Sequence, residues 1–302
     1  MSDVILRKFW LENETGDAIP LNGEQGIWLV DPTGLGMASN SSFTDFGHGF
    51  FRSVDKNKDP QQTVAGDLYF IDHRNPYVEY KRFADWVVKA ETLYLVYQPT
   101  SIQYRRKVLL SSITKEELLT QEVLKCPVAF YGLTPWFTKT EYVIPAKEET
   151  NITLFRMDIS RLGDSVSTDY HRLQLDNRYR SSINIYPTGQ KPAGFVLQYT
   201  GILMNPTITV RKFGGSALGQ CSLVNMSVNN DETLIYASDY ESSGIMKAGQ
   251  YNSTDLIDFV ENLRVELYPK LPVNTTDSIE LSADNEITGE VKITIIEYYR
   301  GV

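Results

Sequence analysis

With one exception, the apolar runs of this chain are no longer than a β-strand. Short segments rich in Val, Ile, Tyr, Phe and Thr recur at 183–186, 194–200, 206–211, 220–226, 232–238, 244–247, 278–282 and 289–298, with Gly, Asn, Pro or Asp between them. A segment that short cannot satisfy its backbone alone and must pair edgewise with another. A series of them at this spacing predicts a β-sandwich or barrel for the second half of the chain. The first half holds similar segments at 4–11, 26–30, 62–71, 92–98, 102–113 and 121–131. The exception is a helix expected over about 76–90. Asn75 can cap its free N–H groups and Pro76 suits the first helical position. Tyr77, Tyr80, Ala84, Val87 and Val88 then recur at helical spacing, with Phe83 and Trp86 widening the stripe. The fold class is therefore mostly β, with one main helix in the N-terminal domain.

The connections carry their own signals. Asp31-Pro32-Thr33-Gly34-Leu35-Gly36 is expected to stop the strand at 26–30 in a sharp turn. Residues 37–60, rich in Ser, Asn, Gly, Phe and Asp, show no period and read as a long loop or loose hairpin arm. Residues 115–119 read as a turn or one short helix, and 254–261 as another short helix. The polar stretch 138–150 marks a domain boundary, giving domains 1–140 and 141–302. No repeat of 20–50 residues is visible.

Charge and chemistry exclude more than they suggest. The 302 residues carry a net charge of −9, opposite to a general nucleic-acid binder. Residues 1–140 hold 15 basic and 17 acidic side chains, whereas 213–302 hold 5 and 14, so the imbalance sits in the C-terminal third. No apolar stretch reaches membrane-spanning length, and MSDVILRKFW lacks the apolar core of a secretory signal, so a cytosolic translation product is expected. The six Asn-x-Ser/Thr triplets are then chance matches. Cys126 and Cys221 stand far apart, outside any CxxC, and are expected to be small buried side chains. His48, His73 and His171 are each isolated, with no metal-ligand spacing. Gly34-Leu35-Gly36 lacks the third glycine and the helix of a phosphate cradle, 214–219 reads as a hairpin, and 282–289 as a turn rather than a calcium loop. Arg105-Arg106-Lys107 is expected on an exposed face at a sheet edge. No catalytic, cofactor or metal residue is assigned, no cofactor is expected, and the chain is expected to act by shape rather than as an enzyme.

Four segments together resemble a known family. Ile27–Gly36 is similar to an early strand and its Pro-x-Gly-Leu-Gly turn. The run through AspLeuTyrPheIle, TyrValGluTyrLysArgPheAlaAspTrpVal and LeuTyrLeuValTyr is similar to a strand–helix–strand. Phe130–Phe137 is similar to a strand exit, and 182–208 to the opening of a galectin-like domain, a pattern that 231–238 continues. In this order they resemble the distal tail protein (Dit) of siphophages infecting Gram-positive bacteria. The resemblance implies an N-terminal belt domain and a C-terminal galectin-like β-sandwich. It implies a virion structural protein that forms a homo-hexameric ring at the tail tip or baseplate. Its partners would be the major tail protein, the tail-associated lysin or hub protein and, directly or indirectly, receptor-binding proteins. There is no membrane partner, and DNA passes through the lumen only as cargo. Two other readings are a cell-wall polysaccharide-binding module of an adhesin and a hydrolase using unrecognised carboxylates.

Overall fold

A computed structural model describes residues 7–37, 43–45, 51–53, 62–72, 75–116, 118–120, 122–144, 179–212, 215–240, 243–249, 253–260 and 266–302. They group into two compact units. One holds Met1–Lys139, Gly189–Lys191 and Ile296–Val302, and the other Thr140–Thr188 and Pro192–Ile295. Among the described residues the chain is mostly β, and no helix is long and apolar enough to cross a membrane.

The first unit runs β1 (Lys8–Asn13), β2 (Ala18–Pro20), β3 (Ile27–Thr33), β4 (Phe43–Asp45), β5 (Phe51–Ser53), β6 (Thr63–Ile71), α1 (Pro76–Lys89), β7 (Leu93–Gln98), β8 (Tyr104–Ile113), β9 (Leu118–Thr120), β10 (Val123–Gly132) and β11 (Trp136–Ile144), the last continuing into the second unit. The sheet order is β2–β1–β7–β8. Strand β8 also pairs β10, β10 pairs β6, and β6 pairs β3. The Leu29 N–H donates to the Leu21 carbonyl at 2.9 Å and ties β3 back to the chain after β2. Alternation along the strands sends Leu11, Ile27, Leu68, Phe70, Leu95, Leu124, Cys126 and Phe130 into one core.

Helix α1 begins where the sequence predicts. The Asn75 side-chain oxygen accepts the Tyr77 N–H at 3.1 Å, and Pro76 opens the first turn. Its buried stripe centres on Phe83, which meets the Phe70 ring edge-on at 5.6 Å. Val88, expected in that stripe, is exposed. Five residues beyond Phe83, it lies about 140° around a helix of 3.6 residues per turn.

Three other expectations change. Strand β3 does not stop at Asp31. From Val30 to Thr33 it advances three residues while β6 advances two, from Asp67 to Ala65. This is a bulge, with Asp31 held at φ 48°. Residues 118–120 form strand β9 rather than a turn or helix, because β8 covers only the Val128–Gly132 end of β10 and leaves Val123 and Leu124 to pair with Thr120 and Leu118. A five-residue helix would gain too few hydrogen bonds to compete. Finally, Arg105–Lys107 is not at a sheet edge. Strand β8 lies between β7 and β10, and Arg106 points inward, buried.

The second unit holds β12 (Tyr179–Ile185), β13 (Lys191–Thr200), β14 (Leu203–Met204), β15 (Thr207–Lys212), β16 (Ala217–Ser222), β17 (Ser227–Val228), β18 (Thr233–Ser238), β19 (Ser243–Ala248), β20 (Ser253–Asp255), β21 (Asp277–Ala283) and β22 (Val291–Tyr299), the last ending in the first unit. One antiparallel sheet is ordered β12–β21–β15–β16. Strands β22, β13, β18, β19 and β20 adjoin in that order in another. Phe195, Leu197, Tyr199, Ile208, Cys221, Tyr236, Leu281 and Ile293 share one buried core. Strands β15 and β16 pair antiparallel as the hairpin expected around 214–219, with 217–219 already in β16. The loop after β21 is a turn locked to the Asn205-Pro206 corner. Asn205 sits at φ 47° and donates to the Asp284 carboxylate at 2.7 Å, while the Asn285 side chain accepts the Met204 N–H at 2.7 Å. The helix expected over 254–261 is instead β20 followed by one 3-10 turn, Ile257–Phe259. Pairing with β19 takes its first residues, and buried Leu256 donates its N–H to the Ile245 carbonyl. Cys126 and Cys221 are buried free thiols, and burial pushes the Cys221 thiol up to about 12, so it stays protonated at neutral pH.

Candidate functional site

Among the described residues no three His, Cys, Asp or Glu side chains gather that could hold a metal ion. His48, His73 and His171 lie outside the described residues. The polar structure of the first unit concentrates instead where β3 hands the chain to β6. Residues 37–61 connect these strands, and of them Met37, 43–45 and 51–53 are described. Within them β4 and β5 pair antiparallel, Phe43 opposite Ser53 and Asp45 opposite Phe51, which fits a hairpin arm.

Both roots of this arm are clamped. Gln62, the residue before β6, donates from Nε2 to the Gly36 carbonyl at 3.1 Å and to the Arg300 carbonyl at 3.2 Å. Its Oε1 accepts from Arg106 Nη1 at 3.0 Å. Arg106 Nε donates to the Thr134 carbonyl at 2.8 Å, and its guanidinium lies 5.7 Å from the centre of the Trp136 ring. A Cβ on Gly132 would stand 2.2 Å from that guanidinium, so only glycine leaves it room. Gly34 takes φ 80°, and a Cβ there would approach the Thr63 carbonyl to 1.9 Å. The Val302 N–H donates to the Leu35 carbonyl at 3.0 Å, bringing the end of the chain to the same place. Burial lowers the Arg106 pKa to about 10, so the group stays a cation at neutral pH. Its partners here are a carbonyl, an amide and an aromatic face. This arrangement offers no nucleophile and no acid–base pair. It fixes the two ends of the segment that joins β3 to β6.

The loop or hairpin arm expected over 37–60 lies, apart from Met37, β4 and β5, outside the described residues, and sequence reasoning missed the clamp at its roots. The signal was Gly132 and Trp136 on either side of Thr134, a gap and a flat surface for a long cation, with the cation itself a strand away.

The second unit carries a polar groove of about 710 Å³ on the outer face of β13 and β18. Gln198, Thr200, Thr233, Asp231, Glu290 and Lys292 line it, and the two threonine hydroxyls lie 2.8 Å apart. No aromatic side chain is among its described lining residues.

Residues 8–133, which span β1 to the exit of β10 and include both arm roots, match the family model of the distal tail protein N-terminal domain. The matched stretch covers less than half of the chain. The distal tail fold extends over the rest. A chain of the phage P2 baseplate, in its activated conformation with Ca, aligns over 99% of this chain and 100% of its own at 13% identity and TM-score 0.65. The Dit protein of SPP1, described as a paradigm of hub adsorption apparatus in phages infecting Gram-positive bacteria, aligns over 96% of this chain and 98% of its own at 10% identity and TM-score 0.54. At such identities the common property is the fold. A comparison of the sequence with curated proteins finds no match.

Proposed function

We propose that this chain is the distal tail hub of a siphophage infecting a Gram-positive host. Six copies close a ring in which the N-terminal domains, residues 1–140, form a belt and the galectin-like domains, residues 141–302, project outward. The ring joins the major tail protein to the tail-associated lysin or tip hub protein, and supports receptor-binding proteins directly or through them. It acts without catalysis or cofactor, is made in the host cytoplasm and ends in the virion. DNA crosses the lumen as cargo.

The observation that carries this reading is the distal tail domain at 8–133 with its arm clamped at both ends. A cyclic ring needs two different surfaces on each subunit, and an arm held at its base can lay one subunit onto the next. Light scattering on the purified chain is expected to give a mass near six times 34.3 kDa. Deleting residues 37–60 is expected to give folded single copies, and a hexamer that survives the deletion would refute the arm's part in the ring.

The groove of the second unit favours a second reading, a cell-wall polysaccharide-binding module, because amide, hydroxyl and carboxylate groups suit a polyhydroxyl ligand. Saturable glycan binding by a chain that never assembles would favour it over the ring.

A further inference from the structure

The second unit places a carboxyl group on the core side of a strand. Alternation along β21 turns Asp277 the same way as Ile279 and Leu281, which belong to the buried core, and Asp277 itself is 0% exposed. It stands where the chain crosses between two sheets. Before the crossing, the Leu271 and Ala193 backbones exchange hydrogen bonds of 2.9 and 2.8 Å, and Ser238 donates from Oγ to the Pro269 carbonyl, so 269–271 lies along β13 and β18. After it, Asp277 opens β21 between Ile185 of β12 and Lys212 of β15. Asn274, at φ 57°, makes the corner and donates its N–H to the Pro187 carbonyl at 2.9 Å.

This corner is one proton short. Thr275 Oγ1 lies 3.0 Å from Asp277 Oδ2 and 3.2 Å from the Pro272 carbonyl. A hydroxyl has one proton and can serve only one of these acceptors. Asp277 Oδ1 has no hydrogen-bond partner among the described residues. An ionised Asp277 is therefore a buried charge with at most one donor, which costs free energy. A proton on Oδ2 removes the deficit, because Asp277 then donates to Thr275 Oγ1 and Thr275 donates to Pro272. The turn 272–276 carries no charged side chain, nor do Ile185 and Pro187, and exposed Lys212 is the described cation that acts on Asp277. Burial outweighs that cation and the Thr275 hydrogen bond, and holds the Asp277 carboxyl above its ordinary range. We propose that Asp277, Thr275 and Pro272 form a proton-operated latch on this crossing: a proton taken up by Asp277 closes it, and loss of that proton loosens the start of β21. Folding takes up the proton. The latch's stabilisation is thus complete below the unfolded aspartate value of about 3.9 and fades as pH rises through the folded one. The inference does not depend on the ring reading.

The test is amide hydrogen exchange over residues 271–283 in the full chain, read by mass spectrometry. Wild type and variant are compared at the same pH, so the intrinsic dependence of exchange on pH cancels. Asp277→Asn keeps the shape and supplies a permanent donor to Thr275. At about pH 8 the wild type is expected to exchange roughly three- to tenfold faster than this variant, and at about pH 4 the two rates should converge. A ratio that is the same at both pH values would overturn the latch. Thr275→Val removes the hydroxyl through which the proton acts, and its pattern should be the reverse. It should exchange several-fold faster than wild type at about pH 4, with a smaller difference at about pH 8. A merely structural loss would appear equally at both and would also overturn the latch. Should Asp277→Asn fail to fold, the Thr275→Val comparison decides.

Discussion

The Arg106 side chain shows how one residue can reverse the reading of a segment. Three consecutive cations in a strand ordinarily face water, yet this guanidinium is 3% exposed. Alternation forces the outcome. Val108 faces the core two residues on, and a strand turns residues i and i+2 the same way. The charge is tolerated because Thr134, Gln62 and Trp136 meet it. Arg106→Met keeps the apolar stem and removes every donor, leaving the Thr134 carbonyl and Gln62 Oε1 short of partners. The expected loss is about 2–4 kcal/mol in the unfolding of the first unit, read from the urea midpoint at constant slope. The cysteines, by contrast, were legible as small buried side chains because that reading needs only composition and the absence of a partner motif.

At the scale of elements, local chemistry predicted more than periodicity did. The Asn75 cap, the Pro76 start and the hairpin around 214–219 all depend on a few adjacent residues, and all stand where the sequence puts them. The bulge in β3 does not. Asp31-Pro32 reads as a stop, but the strand resumes because β6 offers Ala65 to Thr33 one residue out of step. Gly34 then makes the turn that starts the arm. Gly34→Ala would place a side chain at positive φ against the Thr63 carbonyl. The conformational cost alone is about 1–2 kcal/mol, and the clash adds to it. The melting temperature of the first unit is expected to fall by several degrees in a thermal scan. The segment 254–261 errs in the opposite direction. Its acidic start and apolar spacing suit a helix, but eight residues cannot outweigh an available strand edge.

For the whole molecule, the end of the chain belongs to its beginning. Residues 296–302 lie in the first unit, where Tyr299 meets Tyr104 edge-on at 5.2 Å and Arg300 and Val302 bond to the arm roots. Removing residues 299–302 should therefore loosen the arm. Limited proteolysis is expected to cut within 37–61 faster in the truncated chain, with the second unit's melting unchanged. An equal cutting rate would mean that Gln62 and Arg106 hold the roots unaided.

Alone, the sequence determined the strand-rich class, the capped helix and, through short segments in order, the resemblance that the family model of residues 8–133 matches. These features are encoded over a few residues, where φ preferences, missing N–H groups and side-chain alternation act directly. The tertiary structure decided which way Arg106 points, that β3 survives its bulge, that 118–120 becomes a strand, and that the last residues close the arm's base. Apart from 118–120, whose partners lie three to six residues on, each of these depends on a partner from 28 to more than 200 residues away, and the free energy that selects it appears only once the chain has brought the two together.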